Sequence, residues 1–527
     1  MDIIEYLNEK NYSVEFNYAV IKELENIPDI IPDNEINSRE NLFDETIITI
    51  DGEDAKDLDD AVSLKKLKNG NYLLGVHIAD VSHYVKEGTA IDDEAFIRGT
   101  SVYLADTVVP MLPKKLSNGL CSLLPHKPRL ALSCIMEILP NGGVINYEIK
   151  KTVIKTKYRM DYNTVYKILD GDMSGREKYA EIVPLLELMR ELALVLRDKR
   201  CRRGSIDFNF PEAKVVTDEN GKVTDIVKYK ITIANKIIEE FMLVANETVA
   251  KHLLNNDLPG VFRIHEEPES EKITRLAGVV KPLGYKFKLK ETVSPKAMQN
   301  LLFEITGTDA ELAISTIMLR SMMKARYCEE NLGHFGLAAQ HYCHFTSPIR
   351  RYPDLFVHRI LSMEIKGELT DEIKSVMFVN AKRAALQSSE TEADAVIAER
   401  DYVDYKACEF MSDKIGQKFS GVISSTTSFG FFVQMDNTVE GLVRMVDLDD
   451  DYYEFDENNF VLFGKRSDKV YKIGDRIDVI LSKVNTELKQ IDFVPYKEKQ
   501  IKKRGEKTNG TRRKHSKKSK HKGRRSK

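Results

Sequence analysis

Residues 49–62, TIDGEDAKDLDDAV, place five aspartates and one glutamate within fourteen positions. Close carboxylates repel one another, and some take up protons unless a cation neutralises them. Oxygen ligands without a neighbouring Cys or His favour a hard cation, Mg²⁺ or Mn²⁺. Asp51, Asp57, Asp59 and Asp60 are therefore candidate ligands for two ions, which can activate a water and stabilise the leaving oxygen of a phosphodiester.

Two other interpretations of this segment remain open. It could be a solvated acidic loop or a structural Ca²⁺ site. The spacing does not match an EF-hand, because no glycine stands at the sixth position and no glutamate at the twelfth position counted from Asp51.

A second candidate segment is HYCHFTSPIRRYPDLFVHR, residues 341–359. Ser347-Pro348 indicates a turn or a helix start, which places Arg350 near a helix N-terminus, where phosphate oxygens are favoured. The planar guanidinium of Arg350 suits bidentate contact with phosphate, and Arg351 beside it is a candidate RNA contact. An ion pair between Arg350 and Asp354 is the competing interpretation, and a His-rich zinc site is a weaker one.

The acidic segment is expected to lie on a loop that leaves a sheet. ETIITI precedes it, and AVSLKKL and NYLLGVHIADVSHYV follow on either side of Asn69-Gly70, a strong hairpin signal. Long helical patterns come later, in residues 181–203 and 234–254, from about Ser294 to Arg326, and in residues 395–415. The body is therefore predicted to be α+β, with a central sheet and helices.

After Gly416 the sequence pattern changes to short segments of alternating apolar and polar residues separated by glycine turns. This pattern predicts a small β-barrel of the OB-fold type. Alternation places Phe429 and Phe431 on one face and Phe432 on the other. Aromatic residues on such a barrel can stack on bases, although core packing is their commoner fate. We expect at least one exposed ring, Phe429 or Phe432.

Charge is distributed unevenly along the 527 residues. Residues 497–527 contain 16 Lys or Arg and 2 acidic residues, whereas the rest of the chain contains 63 basic and 80 acidic residues. So polar a tail is expected to be disordered and to contact nucleic acid, with a solubility tail or a localisation element as the alternative. Six cysteines without a CxxC pair, no apolar run of membrane-spanning length and no signal-peptide layout predict a cytoplasmic protein.

Seven ordered segments carry a family resemblance: TIDGEDAKDLDDAV, GVHIADVSHYV, SVYLADTVVPMLP, SNGLCSLLP, IIEEFMLVANE, FRIHEEP and HYCHFTSPIRRYPDL. Together they resemble the ribonuclease II/ribonuclease R (RNB) family, most of all its ribonuclease R branch. The resemblance covers roughly residues 20–496. It implies a helical connecting segment (1–44), an RNB catalytic domain (45–410), an S1 RNA-binding domain (415–496) and the basic tail (497–527).

The resemblance also implies an activity. Members are processive 3′→5′ exoribonucleases of the exoribonuclease II type, which hydrolyse single-stranded RNA to nucleoside 5′-monophosphates with Mg²⁺, for which Mn²⁺ is a possible substitute. By this resemblance the catalytic and metal-binding aspartates and the arginine at the scissile phosphate are Asp51, Asp57, Asp59, Asp60 and Arg350. The tyrosine packed against the 3′-terminal nucleotide matches Tyr103, and a second nucleotide contact matches Tyr162. Three residues match a family helix without a role assigned here: Glu239, Glu240 and Asn246.

The sequence departs from the family in one respect. Members usually carry one or two cold-shock domains before the catalytic domain, whereas about 45 residues precede the acidic motif here. Single-stranded RNA is the expected partner of a monomeric protein active in RNA decay and quality control, with the ribosome or the decay machinery as further candidates. Two other functions stay open: an RNA-binding regulator with a degenerate site, and a metal-dependent DNase or phosphatase.

Overall fold

The computed structural model describes residues 3–105, 107–208, 210, 212–219, 221–287, 293–308, 310–457 and 459–497. Apart from Lys497, the predicted basic tail lies outside the described residues. Among the described helices, none is long and apolar enough to cross a membrane.

Seven of the first nine strands form one sheet. In chain order these nine strands are β1 (Glu40–Asn41), β2 (Ile48–Asp51), β3 (Asp60–Lys66), β4 (Tyr72–Ala79), β5 (Val102–Tyr103), β6 (Val108–Val109), β7 (Pro128–Ile138), β8 (Val144–Lys155) and β9 (Tyr158–Asp161). The sheet order is β1-β8-β7-β4-β3-β2-β9, and β5 and β6 form a separate hairpin. The predicted hairpin at Asn69-Gly70 is confirmed: β3 and β4 are antiparallel, and Gly70 has φ +85°.

Helices surround this sheet. In chain order they are α1 (Ile3–Glu9), α2 (Tyr18–Glu25), α3 (Asp33–Asn37), α4 (Val81–Tyr84), α5 (Ala90–Arg98), α6 (Tyr162–Leu169), α7 (Met173–Lys178), α8 (Val183–Arg203), α9 (Ile233–Asn255), α10 (Ser270–Val280), α11 (Pro295–Ile305), α12 (Glu311–Ser321), α13 (Tyr352–Lys366) and α14 (Asp371–Met411). The prediction for residues 395–415 captured only the last part of α14, which begins at Asp371 after the N-cap Thr370.

The main core lies between the sheet and the helices. It contains Ile48 and Ile50 of β2, Val62 of β3, Phe241 of α9 and Leu355 of α13, all fully buried. Burial of a side chain of this size contributes about 1.5–3 kcal/mol. The core therefore holds the ends of β2 and β3 in place, which are the strands that flank the acidic segment.

The remaining strands lie outside the main sheet. They are β10 (Ala213–Thr217), β11 (Val223–Lys228), β12 (Phe262–Ile264), β13 (Arg326–Cys328), β14 (Lys418–Thr427), β15 (Gly430–Met435), β16 (Glu440–Arg444), β17 (Tyr453–Asp456), β18 (Val461–Gly464), β19 (Val470–Lys472), β20 (Arg476–Asn485) and β21 (Gln490–Pro495). The predicted barrel is confirmed: β14-β15-β16-β21-β20 close on themselves.

The alternation predicted for the barrel phenylalanines is wrong. β15 begins only at Gly430, whose φ of +152° interrupts the extended chain after Phe429. A Cβ at Gly430 would lie 2.1 Å from the carbonyl oxygen of Val443, so glycine is required for the close approach of β16. Phe431 is consequently buried in the barrel, whereas Phe429 is 55 % exposed.

Candidate active site

The acidic segment connects two neighbouring strands. Asp51 is the last residue of β2 and Asp60 is the first residue of β3, and these strands pair through Ile48 and Val62. Between them the fully buried Leu58 fixes the loop: its N–H donates to Ser122 Oγ at 3.1 Å, and its carbonyl accepts from the Leu123 N–H at 3.0 Å. The two neighbours of this apolar residue, Asp57 and the buried Asp59, are thereby fixed in position.

Asp59 connects the two predicted segments. It is 4 % exposed, and its Oδ1 accepts from the backbone N–H of Ile349 at 2.8 Å. Its Oδ2 lies 3.7 Å from Nε of Arg350. Asp59 and Ile349 are 290 positions apart in the chain, so folding creates this site.

The carboxylates lie in an environment that opposes their negative charge. Burial, followed by the neighbouring Asp57, raises the pKa of Asp51 to about 6. Burial also raises the pKa of Asp59 and of Asp60 well above the usual range, although Arg350 partly counteracts the shift at both. A bound cation would stabilise the ionised form of these crowded carboxylates.

Carboxylate oxygens that make no hydrogen bond indicate where a cation would bind. Within the described ranges, Asp51 Oδ2, Asp59 Oδ2 and Asp60 Oδ2 are buried and make no hydrogen bond. Carboxylate oxygens of this kind fit a hard divalent cation. The described side chains do not form a ready-made group of three or more His, Cys, Asp or Glu ligands. Mg²⁺ tolerates such an arrangement because it usually keeps several waters and substrate oxygens in its coordination shell.

Arg350 and Arg351 have different environments. Arg350 precedes α13, its side chain is 41 % exposed, and its Nη2 donates to Ser347 Oγ at 3.0 Å. The predicted alternative, an ion pair between Arg350 and Asp354, is wrong. Asp354 instead pairs with Arg351, Nη2 to Oδ1 at 2.7 Å, because α13 starts at Tyr352 and leaves Arg350 outside the helix.

The two predicted tyrosines flank the aspartates. The Tyr103 hydroxyl donates to Asp57 Oδ2 at 2.8 Å, and the residue remains 39 % exposed. Partial burial of the hydroxyl and the nearby carboxylates raise the pKa of Tyr103, so the hydroxyl keeps its proton. Tyr162 is the first residue of α6, capped by Asp161, and burial followed by the charge of Asp51 raises its pKa as well.

Eight of the predicted side chains line one cavity of about 540 Å³. The predicted residues that it brings together are Asp51, Asp57, Asp59, Asp60, Tyr103, Tyr162, Arg350 and Arg351. Phe429 and Phe432 do not line it. They lie together on the barrel, with ring centroids 6.3 Å apart and planes at 87°.

The sequence analysis matched Glu239 and Asn246 to a family helix but did not predict that this helix lines the cavity. One wall is a face of α9, formed by Ile238, Glu239, Met242, Leu243 and Asn246. Positions i, i+1, i+4, i+5 and i+8 share one side of a helix, so this periodicity could have identified the wall. Ala55, Tyr342, Thr346 and Ser347 complete the lining without such a signal.

Asn246 of α9 links two segments of the structure. It is 3 % exposed, its Oδ1 accepts from the Phe345 N–H at 2.9 Å, and its Nδ2 donates to the Tyr342 hydroxyl at 3.1 Å. Asn246 thus holds the segment before Arg350 against α9.

The chain matches the models of two known domains, and the larger of them defines the RNB class of proteins. The model of the RNB domain matches residues 39–367, and the model of the S1 RNA binding domain matches residues 412–494. The chain therefore belongs to the ribonuclease II/ribonuclease R (RNB) family, and the resemblance carried by its motifs is confirmed.

Several of the relatives that match carry the name ribonuclease R. Ribonuclease R 1 of Lactococcus lactis is 45 % identical over 494 residues, which cover 94 % of this chain and 60 % of that protein. Ribonuclease R of Thermotoga maritima is 46 % identical over 484 residues, 91 % of this chain and 68 % of that protein. The structure of Mycoplasma genitalium RNase R in complex with ribose methylated single-stranded RNA superposes with a TM-score of 0.87 and 32 % identity, over 94 % of this chain and 77 % of that one. The chain thus spans about 60 % of the length of the Lactococcus relative.

Proposed function

We propose that this protein is a processive 3′→5′ exoribonuclease that hydrolyses single-stranded RNA to nucleoside 5′-monophosphates by a two-metal mechanism. The observation that carries the proposal is the set of three buried carboxylate oxygens that make no hydrogen bond, in a cavity that also presents Arg350 and Tyr103. The M. genitalium RNase R that superposes on this chain is described with single-stranded RNA. Mg²⁺ is the proposed metal, with Mn²⁺ as a possible substitute.

The residues that line the cavity would have different roles in the reaction. Asp51, Asp59 and Asp60 would hold Mg²⁺, and the chemistry that Mg²⁺ supplies at such a site is acidification of a water and neutralisation of phosphate charge. Arg350, which lies outside α13, would donate hydrogen bonds from its guanidinium to the phosphate. These bonds would stabilise the negative charge that develops on the phosphate during the reaction. Tyr103 offers a ring against the terminal base, and its contact with Asp57 fixes the ring beside the carboxylates.

The barrel supplies a second contact with RNA. Phe429 and Phe432 lie outside the cavity, so they would hold nucleotides upstream of the reacting end. We propose that the enzyme acts as a monomer in the cytoplasm, in RNA decay and quality control. The six cysteines, all free, are consistent with a reducing compartment.

The test is an assay with Mg²⁺ and two single-stranded substrates of one sequence, an RNA and a DNA. Copies labelled at the 5′ end report polarity and processivity, and body-labelled copies report the products. We expect body-labelled RNA to yield 5′-mononucleotides, 5′-labelled RNA in excess to yield only full-length substrate and a short end product, and DNA to persist. Degradation of both polymers would favour a general nuclease, and binding without hydrolysis would favour an RNA-binding regulator.

Replacing Phe429 with alanine is expected to weaken RNA binding. Stacking of one base contributes about 1–3 kcal/mol to the binding free energy. Without it we expect Kd to rise about tenfold for an RNA long enough to reach the barrel. Phe303 of α11 is similarly exposed, 62 %, and does not line the cavity, so Phe303→Ala is the matched control. Equal affinities for both variants in a fluorescence anisotropy titration would exclude Phe429 as a stacking residue.

Removal of residues 497–527 is expected to weaken RNA binding and to flatten its salt dependence. Each phosphate contact that is lost reduces the slope of log K against log salt by about 0.7 for single strands. Titrations at several KCl concentrations measure this slope for both proteins. An unchanged slope would show that the tail does not contact RNA and would favour a role in solubility.

A further inference from the structure

A second large cavity lies on the barrel. It has a volume of about 700 Å³ and is lined by residues of β14, β19 and β20 and by the residues at the end of β21. Lys418, the first residue of β14, lines this cavity, whereas Phe429 follows the last residue of β14 by two positions. β14 has 10 residues, and at about 3.3 Å per residue they span about 30 Å. The cavity is therefore at the other end of the barrel from the exposed Phe429 ring.

An aromatic ring with a fixed position lies at the edge of this cavity. Tyr496 directly follows β21 and is 38 % exposed. Its N–H donates to the carbonyl oxygen of Asp478 at 2.8 Å, and Nζ of Lys418 lies 3.8 Å from its ring centroid. Lys418 is itself held by an ion pair with Asp478, Nζ to Oδ2 at 2.8 Å. A partly exposed ring that is already held in place can stack on a base at a low cost in conformational entropy.

The cavity also presents a cation that can bind a phosphate. Lys418 is paired with Asp478, and Lys469 is paired with Asp450, Nζ to Oδ2 at 2.8 Å. Arg476 is exposed and has no ion pair and no side-chain hydrogen bond within the part of the chain that the structure describes. A guanidinium suits bidentate contact with phosphate oxygens, so Arg476 is the cation of this lining that an anionic ligand can reach without breaking an ion pair.

The wall of the cavity is part of the barrel core. Tyr471 of β19 lines the cavity and is 6 % exposed. Its ring stacks on the buried ring of Phe431, with centroids 4.6 Å apart. Ile423 of β14 also lines the cavity and is fully buried in the same core. Closely packed side chains of this kind resist displacement, so the cavity exists before any ligand binds.

The basic tail begins beside this cavity. Tyr496 lies beyond the residues that the S1 model matches, 412–494, and Lys497, the first residue of the tail, follows it directly. Lys497 pairs with Asp449, whose neighbour Asp450 pairs with Lys469 in the cavity wall. Residues 497–527 contain 16 Lys or Arg. A polyanionic strand that is attracted to the tail is thereby concentrated next to the cavity.

We infer that this cavity is a second RNA subsite of the barrel, in which Tyr496 stacks on a base and Arg476 binds a phosphate. The occupant is a single-stranded RNA, because a row of cations attracts a chain of phosphates far more strongly than a single nucleotide. A strand that reaches from Phe429 to Tyr496 fits the roughly 4–16 nucleotides that one OB-fold covers. The inference rests on the proposed function, since it takes RNA to be the substrate.

The first test measures the affinity of the whole 527-residue chain for RNA in EDTA by fluorescence anisotropy. The RNA has about 30 nucleotides, which exceeds the span of one OB-fold. We expect Tyr496→Ala to raise Kd about fivefold to tenfold, because a stacked base is lost, and Tyr496→Phe to change Kd less than about twofold, because the ring is kept.

Tyr452 provides the matched control for Tyr496. It is 65 % exposed on the same barrel, the guanidinium of Arg466 lies 4.8 Å from its ring centroid, and it does not line the cavity. Tyr452→Ala is expected to change Kd less than about twofold, as for most surface substitutions. Equal Kd values for Tyr496→Ala and Tyr452→Ala, or equal losses in Tyr496→Ala and Tyr496→Phe, would overturn the inference.

The second test addresses the phosphate contact of Arg476. Loss of one such contact should reduce the slope of log K against log salt by about 0.7 for single strands. Arg476→Ala is expected to show this reduction in titrations at several KCl concentrations, and Arg466→Ala, outside the cavity, is expected to keep the wild-type slope. The contact would be disproved by an unchanged slope in Arg476→Ala or by equal reductions in both variants.

Crosslinking identifies which part of the RNA occupies the cavity. RNA with 5-iodouridine at one position is bound in EDTA and irradiated, and the crosslinked residue is found by mass spectrometry. We expect Tyr496 to react with positions well upstream of the 3′ end. Reaction with the 3′-terminal position, or selective loss of this crosslink when 5′-AMP is added, would overturn the inference. If the wild-type protein bound no RNA at all, the proposed function would fail instead.

Discussion

Asp59→Asn is expected to lower the rate of RNA hydrolysis by about a thousandfold or more, because it removes a metal-binding charge from the cavity. Asparagine has the same shape, and its carbonyl oxygen can still accept from the Ile349 N–H, so the link between the two segments is kept. RNA binding in EDTA is expected to persist. Rates under single-turnover conditions and affinities from anisotropy measure the two effects.

The matched control is Asp54→Asn. Asp54 is an exposed acid of the same loop that does not line the cavity, so its replacement is expected to leave the rate within about twofold, as for most surface substitutions. Thermal stability provides a second readout. Because burial raises the pKa of Asp59, the ionised form opposes folding at neutral pH, and Asp59→Asn should melt no lower than wild type in EDTA. Normal hydrolysis by Asp59→Asn would contradict the metal site.

Arg350 and Arg351 are neighbours in sequence, but replacing Arg350 should lower activity, whereas replacing Arg351 should lower stability. Arg350→Ala is expected to lower kcat by about 10²–10³-fold, because the growing phosphate charge loses its donor. Its stability should change by less than about 0.5 kcal/mol, since the side chain is 41 % exposed. Arg351→Met leaves the fully buried Asp354 without its ion-pair partner and should lower the free energy of unfolding by about 3 kcal/mol.

The double variant Arg351→Met/Asp354→Asn is the control for that explanation. It removes the unpaired charge, so it should recover part of the stability lost in Arg351→Met. Denaturant unfolding and single-turnover hydrolysis together assign each arginine. The assignment would be wrong if Arg350→Ala unfolded more easily while Arg351→Met lost activity alone.

The candidate site could be predicted from short segments because each segment keeps its candidate residues close in sequence. Asp51, Asp57, Asp59 and Asp60 lie within ten positions, and a strand on each side indicates a loop. What could not be predicted depends on tertiary contacts. The choice of Arg351 over Arg350 as partner of Asp354 depends on the first residue of α13, and helix ends are the least certain part of a sequence prediction.

The barrel provides a second example of the same limit. A strand pattern predicts alternation, but the backbone of Gly430 breaks it, and only the packing of β16 against that glycine shows why. Contacts such as Glu399 to the Tyr103 backbone leave no local trace at all, because the acceptor stands 296 positions from the donor.

The buried Leu58 has a consequence for the length of the acidic loop. Its first part, Gly52 to Asp54, is exposed, and a Cβ at Gly52 would meet nothing within 4 Å, so an insertion there changes only the solvent side. An insertion or deletion between Asp57 and Asp60 would instead rotate a carboxylate into the core or turn the leucine outward. The loop therefore has two parts: the length of the exposed part, Gly52 to Asp54, can vary, whereas the length of the part from Asp57 to Asp60 is fixed.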